Sequence, residues 1–203
     1  MTAIIDYGIG NLFSLKSSFG MIGEDVVVTS DEKDIRSADR IILPGVGAFE
    51  DAARKLKESG LDKVVIEQVN SGKPLMGICL GMQMLFEKSF EYGEHSGLGL
   101  IKGEVRPMLG VIPDTLKIPH MGWNKLDFKG EKDVIFKYLD EDDFVYFVHS
   151  FYGTDCDDSV IATAEYGIDV TAAVRSGNVW GCQFHPEKSG KVGLAILKAF
   201  CEI

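Results

Sequence analysis

The 203 residues predict an α/β fold: a parallel sheet with helices on both faces in the first half, joined to largely antiparallel strands in the second. Three observations carry this expectation. Short β-branched apolar runs alternate with amphipathic segments as far as about residue 97. After that point, strand-like runs succeed one another with turn residues between them. The length suits one domain, 1–203, with a substantial core, and leaves little room for a second.

Taken in order, Ala3–Tyr7 reads as a strand and Leu12–Met21 as a helix, and Asp25–Thr29 with Asp31–Ser37 repeats the pair. Arg40–Leu43 leads into the long amphipathic segment Ala48–Val69, Leu75–Cys79 is the next strand, and Leu80–Lys88 reads as the helix behind it. Beyond Gly97 come the strands Leu98–Val105, Gly122–Leu126, Phe144–His149, Val160–Tyr166, Asp169–Arg175 and Asn178–Phe184, closed by a helix over Gly190–Cys201. No internal repeat, low-complexity tract or linker marks a boundary, and the acidic run Asp140–Asp143 reads as a solvated turn.

Composition narrows the function. A net charge of -10 argues against nucleic acid as a partner, since affinity for a phosphate backbone comes from clustered Lys and Arg. The apolar stretch Leu75–Phe86 is interrupted by two glycines and Gln83 and is shorter than the ~20 residues of a membrane span, so no membrane association is expected. The start, Met1–Asp6, has no basic region ahead of an apolar one, which implies no export and a cytoplasmic setting. Four cysteines without a CxxC pair then read as mostly free thiols. No two histidines have metal-ligand spacing, so neither a metal nor another cofactor is expected.

Gly77-Ile78-Cys79-Leu80-Gly81 follows an apolar strand and precedes a helix-like segment, the pattern of a nucleophile elbow with cysteine as the nucleophile. The glycines two residues to either side make room for neighbouring backbone, while the turn aims the Leu80 N–H and a helix N-terminus at the reacting centre. An isolated cysteine is more often a small buried hydrophobe. Cys156 lies among aspartates, which raise a thiol pKa, Cys201 sits in the closing helix, and Cys182 reads as core.

A thiolate nucleophile needs an imidazole as proton acceptor and donor, and that imidazole needs an acceptor to fix its tautomer. His185-Pro186-Glu187 supplies both at the carboxyl end of a strand, where open α/β sheets place their sites. Taken alone, the tripeptide reads more simply as a surface turn with a casual His/Glu neighbourhood. His95 lies in a polar loop, while His120 and His149 sit in apolar or aromatic stretches as core or supporting groups.

GICLG with a distant HPE resembles the class I, triad-type glutamine amidotransferases, and the resemblance implies a flavodoxin-like domain with a mixed central sheet. Five segments narrow it to the glutaminase subunits of imidazole glycerol phosphate synthases. They are Asp6-Tyr7-Gly8-Ile9-Gly10-Asn11, Pro44-Gly45-Val46-Gly47, GICLGMQ, Pro119-His120-Met121-Gly122-Trp123-Asn124 and His185-Pro186-Glu187-Lys188-Ser189, in the expected order along nearly the whole chain. The resemblance implies hydrolysis of glutamine through a thioester on Cys79. Ammonia then passes to a (β/α)₈ cyclase subunit in a heterodimer, which forms imidazole glycerol phosphate and an aminoimidazole carboxamide ribotide in histidine biosynthesis.

Carried over residue by residue, Cys79, His185 and Glu187 form the triad, and Val46 and Gly47 join Leu80 at the oxyanion site. Gln83 and Glu91, with the backbone around Ser150, Phe151 and Tyr152, hold the substrate. Asn11, Met121, Trp123, Tyr146 and Lys188 face the cyclase. In that family the resting oxyanion strand turns a carbonyl toward the site. Residue by residue, bland readings stand beside these: Gln83 a polar helix position one turn after Cys79, Glu91 a surface acid, Trp123 and Tyr146 core aromatics. Other readings are another class I amidotransferase system, or a silent binding subunit that would lack Cys79, His185 or Glu187. A dinucleotide loop at Gly8-Ile9-Gly10 is disfavoured by Phe13, which stands where the third glycine belongs.

Overall fold

The computed structural model describes residues 1–203. The strands are β1 (Thr2–Ile5), β2 (Val26–Thr29), β3 (Arg40–Leu43), β4 (Leu75–Ile78), β5 (Phe86–Ser89), β6 (His95–Ser96) and β7 (Ile101–Pro107) in the first part. They continue as β8 (His120–Lys125), β9 (Asp127–Phe128), β10 (Phe144–His149), β11 (Phe151–Thr154), β12 (Val160–Glu165), β13 (Asp169–Ser176) and β14 (Val179–Cys182). The helices are α1 (Leu12–Met21), α2 (Glu32–Ser37), α3 (Phe49–Glu58), α4 (Leu61–Asn70), α5 (Leu80–Gln83) and α6 (Gly190–Cys201).

The main sheet has the order β2-β1-β3-β4-β14-β13-β12-β9. Its first five members run parallel and the rest antiparallel. The parallel part has the flavodoxin-like order, so the mixed α/β sheet read from the sequence is present. A smaller sheet, β11-β7-β5-β6, and a two-stranded ribbon of β8 and β10 complete the molecule.

Residues alternate between the sheet's two faces. Ile4, Ile42, Met76 and Ile78 pack with Leu15 and Phe19 of α1 and Ile196, Leu197 and Phe200 of α6. Ile5, Ile41, Leu43 and Leu75 pack with Phe49, Ala52 and Leu56 of α3 and Val64 and Val65 of α4. Full burial of each such side chain contributes ~1.5–3 kcal/mol before chain entropy is counted.

Two expectations need correction, and one strand was not expected. The segment Ala48–Val69 is two helices, because Gly60 adopts φ 75 and turns the chain between α3 and α4. The helix expected over Leu80–Lys88 is a single turn, and Phe86–Ser89 becomes a strand paired in parallel with β7. The Met84 carbonyl accepts from Leu98 N–H at 2.8 Å, so tertiary pairing replaces the next helical bond. Phe151–Thr154, which carried no strand expectation, forms β11 against β7.

Candidate active site

Three adjacent parallel strands deliver the site at their carboxyl ends: β3 leads to Val46 and Gly47, β4 to Cys79, and β14 to His185. Cys79 has φ 54 and ψ -111, a left-handed conformation that costs a non-glycine residue on the order of 1–3 kcal/mol. Its N–H donates to the Cys182 carbonyl at 2.7 Å and its carbonyl accepts from Gln83 N–H at 3.1 Å, which holds the strained residue in place. The flanking glycines are sterically required. A Cβ on Gly77 would lie 2.6 Å from the Gly81 carbonyl oxygen, and one on Gly81 would lie 1.9 Å from that of Leu43.

His185 is buried, and its Nδ1 lies 2.8 Å from Glu187 Oε1, with both side chains only 2% exposed. Burial alone would lower the pKa of this imidazole. The neighbouring Cys79 and the hydrogen-bonded Glu187, followed by their charges, outweigh burial and raise it to about 9. The pairing at Nδ1 leaves Nε2 for the thiol. Cys156 is the reverse case: burial first, then Asp157 and Asp155, pushes its thiol up to about 11. Burial also raises Cys182, and raises Cys201 to about 11. All four cysteines are free thiols.

Cys79 and His185 open into a cavity of about 470 Å³ shared with Val46, Gly47, Leu80, Gln83, Glu91, Ser150 and Phe151. Glu91 is anchored by accepting from Phe49 N–H at 2.7 Å, and burial raises its pKa. The N–H groups of Val46 and Gly47 have no intramolecular acceptor. Tyr152 is not brought to the cavity. It follows Phe151 on β11, so strand alternation turns it to the opposite face, where it packs with Met108, Ile112 and Val170.

Several groups at the site gave little sign in the sequence. Gln183, fully buried, donates to Cys79 Sγ at 3.8 Å and accepts from Gln83 Nε2 at 2.9 Å. His149 lines the cavity. Tyr7 donates its hydroxyl to the Pro44 carbonyl at 2.7 Å, tying the loop after β1 to the segment that carries Val46. Only the adjacency of Gln183 to His185 hinted at its place.

The residues expected to face a partner do not enter the core. On one face of the β8–β10 ribbon, Met121 is 61% and Trp123 55% exposed. Tyr146 lies directly across from Trp123 in an edge-on contact at 6.0 Å, and Lys188 Nζ sits 5.8 Å from the Tyr146 ring. Asn11 stands at the N-cap position of α1 without a side-chain capping bond, and α1 packs against the turn Pro186–Lys188.

A buried thiol on a strained elbow, an imidazole beside it and a carboxylate behind the imidazole can form and break an acyl–sulfur bond. On a flavodoxin-like sheet this defines an α/β acyl-transfer hydrolase of the cysteine-nucleophile class. The profile of the family "Glutamine amidotransferase class-I" matches residues 3–202. The "Imidazole glycerol phosphate synthase subunit HisH" of Lactococcus lactis subsp. lactis is 50% identical over 98% of this chain and 96% of its own length. That of Geobacillus sp. is 48% identical over 100% of this chain and 97% of its own. A solved glutamine amidotransferase superposes with a TM-score of 0.76 at 19% identity, over 98% of this chain and 97% of its own, a likeness of fold. The chain belongs to the class-I glutamine amidotransferases, in the branch formed by the HisH subunits of imidazole glycerol phosphate synthase.

Proposed function

We propose that this chain, as one amidotransferase domain over residues 1–203, hydrolyses glutamine to glutamate and ammonia and hands the ammonia to a cyclase subunit. In this reading the Cys79 proton passes to His185 Nε2, and the thiolate attacks the side-chain amide carbon of glutamine. Val46, Gly47 and Leu80 supply N–H donors for the oxyanion. His185 returns the proton to the departing nitrogen, ammonia leaves, and a γ-glutamyl thioester remains on Cys79. Water, deprotonated by His185, cleaves the thioester and releases glutamate. Glu187 holds the ring and balances its charge. Glu91 and the Gln83 amide oxygen read the substrate's polar groups in this reading, with Ser150 and Phe151 backbone along the wall, and their lining of the cavity supports it.

The cyclase docks, in this reading, on the exposed face of Met121, Trp123 and Tyr146 with Lys188 and Asn11 beside it. It uses the ammonia to form imidazole glycerol phosphate and aminoimidazole carboxamide ribotide in histidine biosynthesis. Four free thiols suit a reducing cytoplasm. The observation that carries the proposal is the cavity that Cys79 and His185 both line, with Glu187 paired to His185 behind it. The test is release of glutamate from glutamine by the purified chain with its cyclase. No release above a Cys79→Ala control would end the proposal.

A further inference from the structure

Five polar groups in and behind the cavity wall form a hydrogen-bonded series whose direction is fixed at one point. The Phe151 carbonyl can only accept. It accepts from Gln83 Nε2 at 3.1 Å and lies 2.8 Å from His149 Nδ1, which therefore carries a proton. The other nitrogen of neutral His149 then accepts, and His120 Nδ1 lies 3.0 Å from it. His120 in turn lies between the rings of Phe147 and Tyr166. Burial holds the pKa of His120 down to about 4 and that of His149 to about 3, so both rings are neutral near pH 7.

On the other side, Gln83 spends both amide hydrogens, one on Phe151 and one on Gln183 Oε1. That sets the carboxamide of Gln183. Its oxygen must face Gln83, and its nitrogen is left toward Cys79 Sγ at 3.8 Å. Reversing it would place two N–H₂ groups face to face and an oxygen against the sulfur, at a side chain that is fully buried.

We propose that Gln183 is a further catalytic residue of this site: its amide N–H stabilises the Cys79 thiolate, with Gln83 and the His149–His120 pair acting as positioning residues that hold the amide in the donating orientation. The inference rests on Cys79 being the nucleophile. It adds a neutral donor to a thiolate whose proton goes to His185 Nε2. Such a donor stabilises negative sulfur without competing for the proton, as a second cation would.

The reading that tests it is the pH dependence of Cys79 alkylation by iodoacetamide in the full-length chain, followed on the Cys79 peptide by mass spectrometry. The groups that bear on that profile are His185 and Glu187 after β14, Tyr7 after β1, Glu91 after β5, His149 on β10, and Lys188. Gln183→Met keeps the size and removes the donor. It is expected to raise the alkylation midpoint by about one unit and to lower glutamine turnover with the cyclase about tenfold, with KM nearly unchanged. Gln183→Glu can still accept from Gln83 but cannot donate to sulfur and adds negative charge, so its shift is expected to be larger. The two variants differ in polarity, so one that folds decides the matter if the other does not. A folded variant of either kind with the wild-type midpoint and wild-type turnover overturns the assignment. If wild-type chain and cyclase release no glutamate from glutamine while the midpoint still shifts, the glutaminase reading fails and the Gln183–Cys79 contact stands.

Discussion

The N–H of His185 donates to the Tyr146 carbonyl at 2.9 Å, so the ribbon strand that exposes an aromatic face also holds the backbone of the imidazole. Ser189 reinforces the link, donating its hydroxyl to the His185 carbonyl at 2.7 Å and accepting from Tyr146 N–H at 2.9 Å. A partner that presses on Tyr146 and Trp123 therefore pushes on a strand bonded to the catalytic turn.

Trp123 is half exposed and contacts Tyr146 edge-on. Trp123→Ala is expected to weaken cyclase binding by about 2 kcal/mol or more while lowering the domain's own stability by about 1 kcal/mol or less. Titration calorimetry and a melting curve measure the two separately. A stability loss of ~3–5 kcal/mol with unchanged affinity would make Trp123 a packing residue.

His185 makes the stability of the domain depend on pH. The folded pKa of His185 is raised from 6.5 to about 9, by Cys79 first and Glu187 second, so the stabilisation that these two neighbours together give the imidazolium is complete below about pH 6.5 and disappears as pH rises through about 9. At one decade per 1.36 kcal/mol the full effect is of order 3 kcal/mol. Glu187→Gln removes the charge and should flatten the fall in melting temperature between pH 6.5 and 9, while lowering glutaminase kcat by ~10²–10⁴. Equal slopes for wild type and variant would remove Glu187 as the cause.

Cys79→Ala is expected to abolish glutamine-dependent synthesis by the complex and to leave synthesis from added ammonium salt intact. Thiol chemistry makes the ammonia, and the partner consumes it. Persisting use of glutamine by the variant would take Cys79 out of the reaction.

Gly81→Ala should destabilise by about 3 kcal/mol or more and remove activity, because the new methyl meets the Leu43 carbonyl at 1.9 Å and the clash is with backbone. Gly20→Ala in α1, where a Cβ meets nothing within 4 Å, should stabilise by up to ~1 kcal/mol. Opposite signs in chemical denaturation test the contrast.

The parallel sheet and the grouping of Cys79, His185 and Glu187 were legible because their signals are local. Each strand is a short apolar run, the elbow is written in five residues, and HPE places base and orienter two positions apart. What escaped the sequence depends on tertiary pairing. Phe86–Ser89 is a strand because β7 lies beside it, which no local propensity states. Gln183 was hidden because β14 is buried on both faces, so alternation there does not separate inside from outside. The direction of the Tyr152 side chain was hidden for a related reason: without a strand expected at Phe151–Thr154, there was no alternation to turn it away from the cavity.

The last prediction concerns control of the site by its partner. Gly45 is wedged in place, since a Cβ there would meet Gly81 N at 2.6 Å and Leu80 Cβ at 2.9 Å. Gly47 is different: it has φ +92, a Cβ there would meet nothing within 4 Å, and it borders Val46, which is 40% exposed. One end of the segment is thus clamped to the elbow, and the other is free to rotate the Val46–Gly47 peptide, which glycine permits at little cost. Two amide N–H groups without an internal acceptor lie on that free part, so the choice between N–H and carbonyl facing the oxyanion is open to a small push. Losing one oxyanion donor costs ~10²–10³ in rate, and a partner can shift the balance only by binding one orientation better than the other. The lone chain is therefore expected to hydrolyse glutamine at least ~10²-fold more slowly than the complex with ligand-loaded cyclase. Gly47→Ala, strained only by its positive φ, should change that ratio rather than the fold. Steady-state glutamate release decides it: a lone chain working within a few-fold of the loaded complex would mean the oxyanion site is preformed, with Gly45 and Gly47 there for close packing alone.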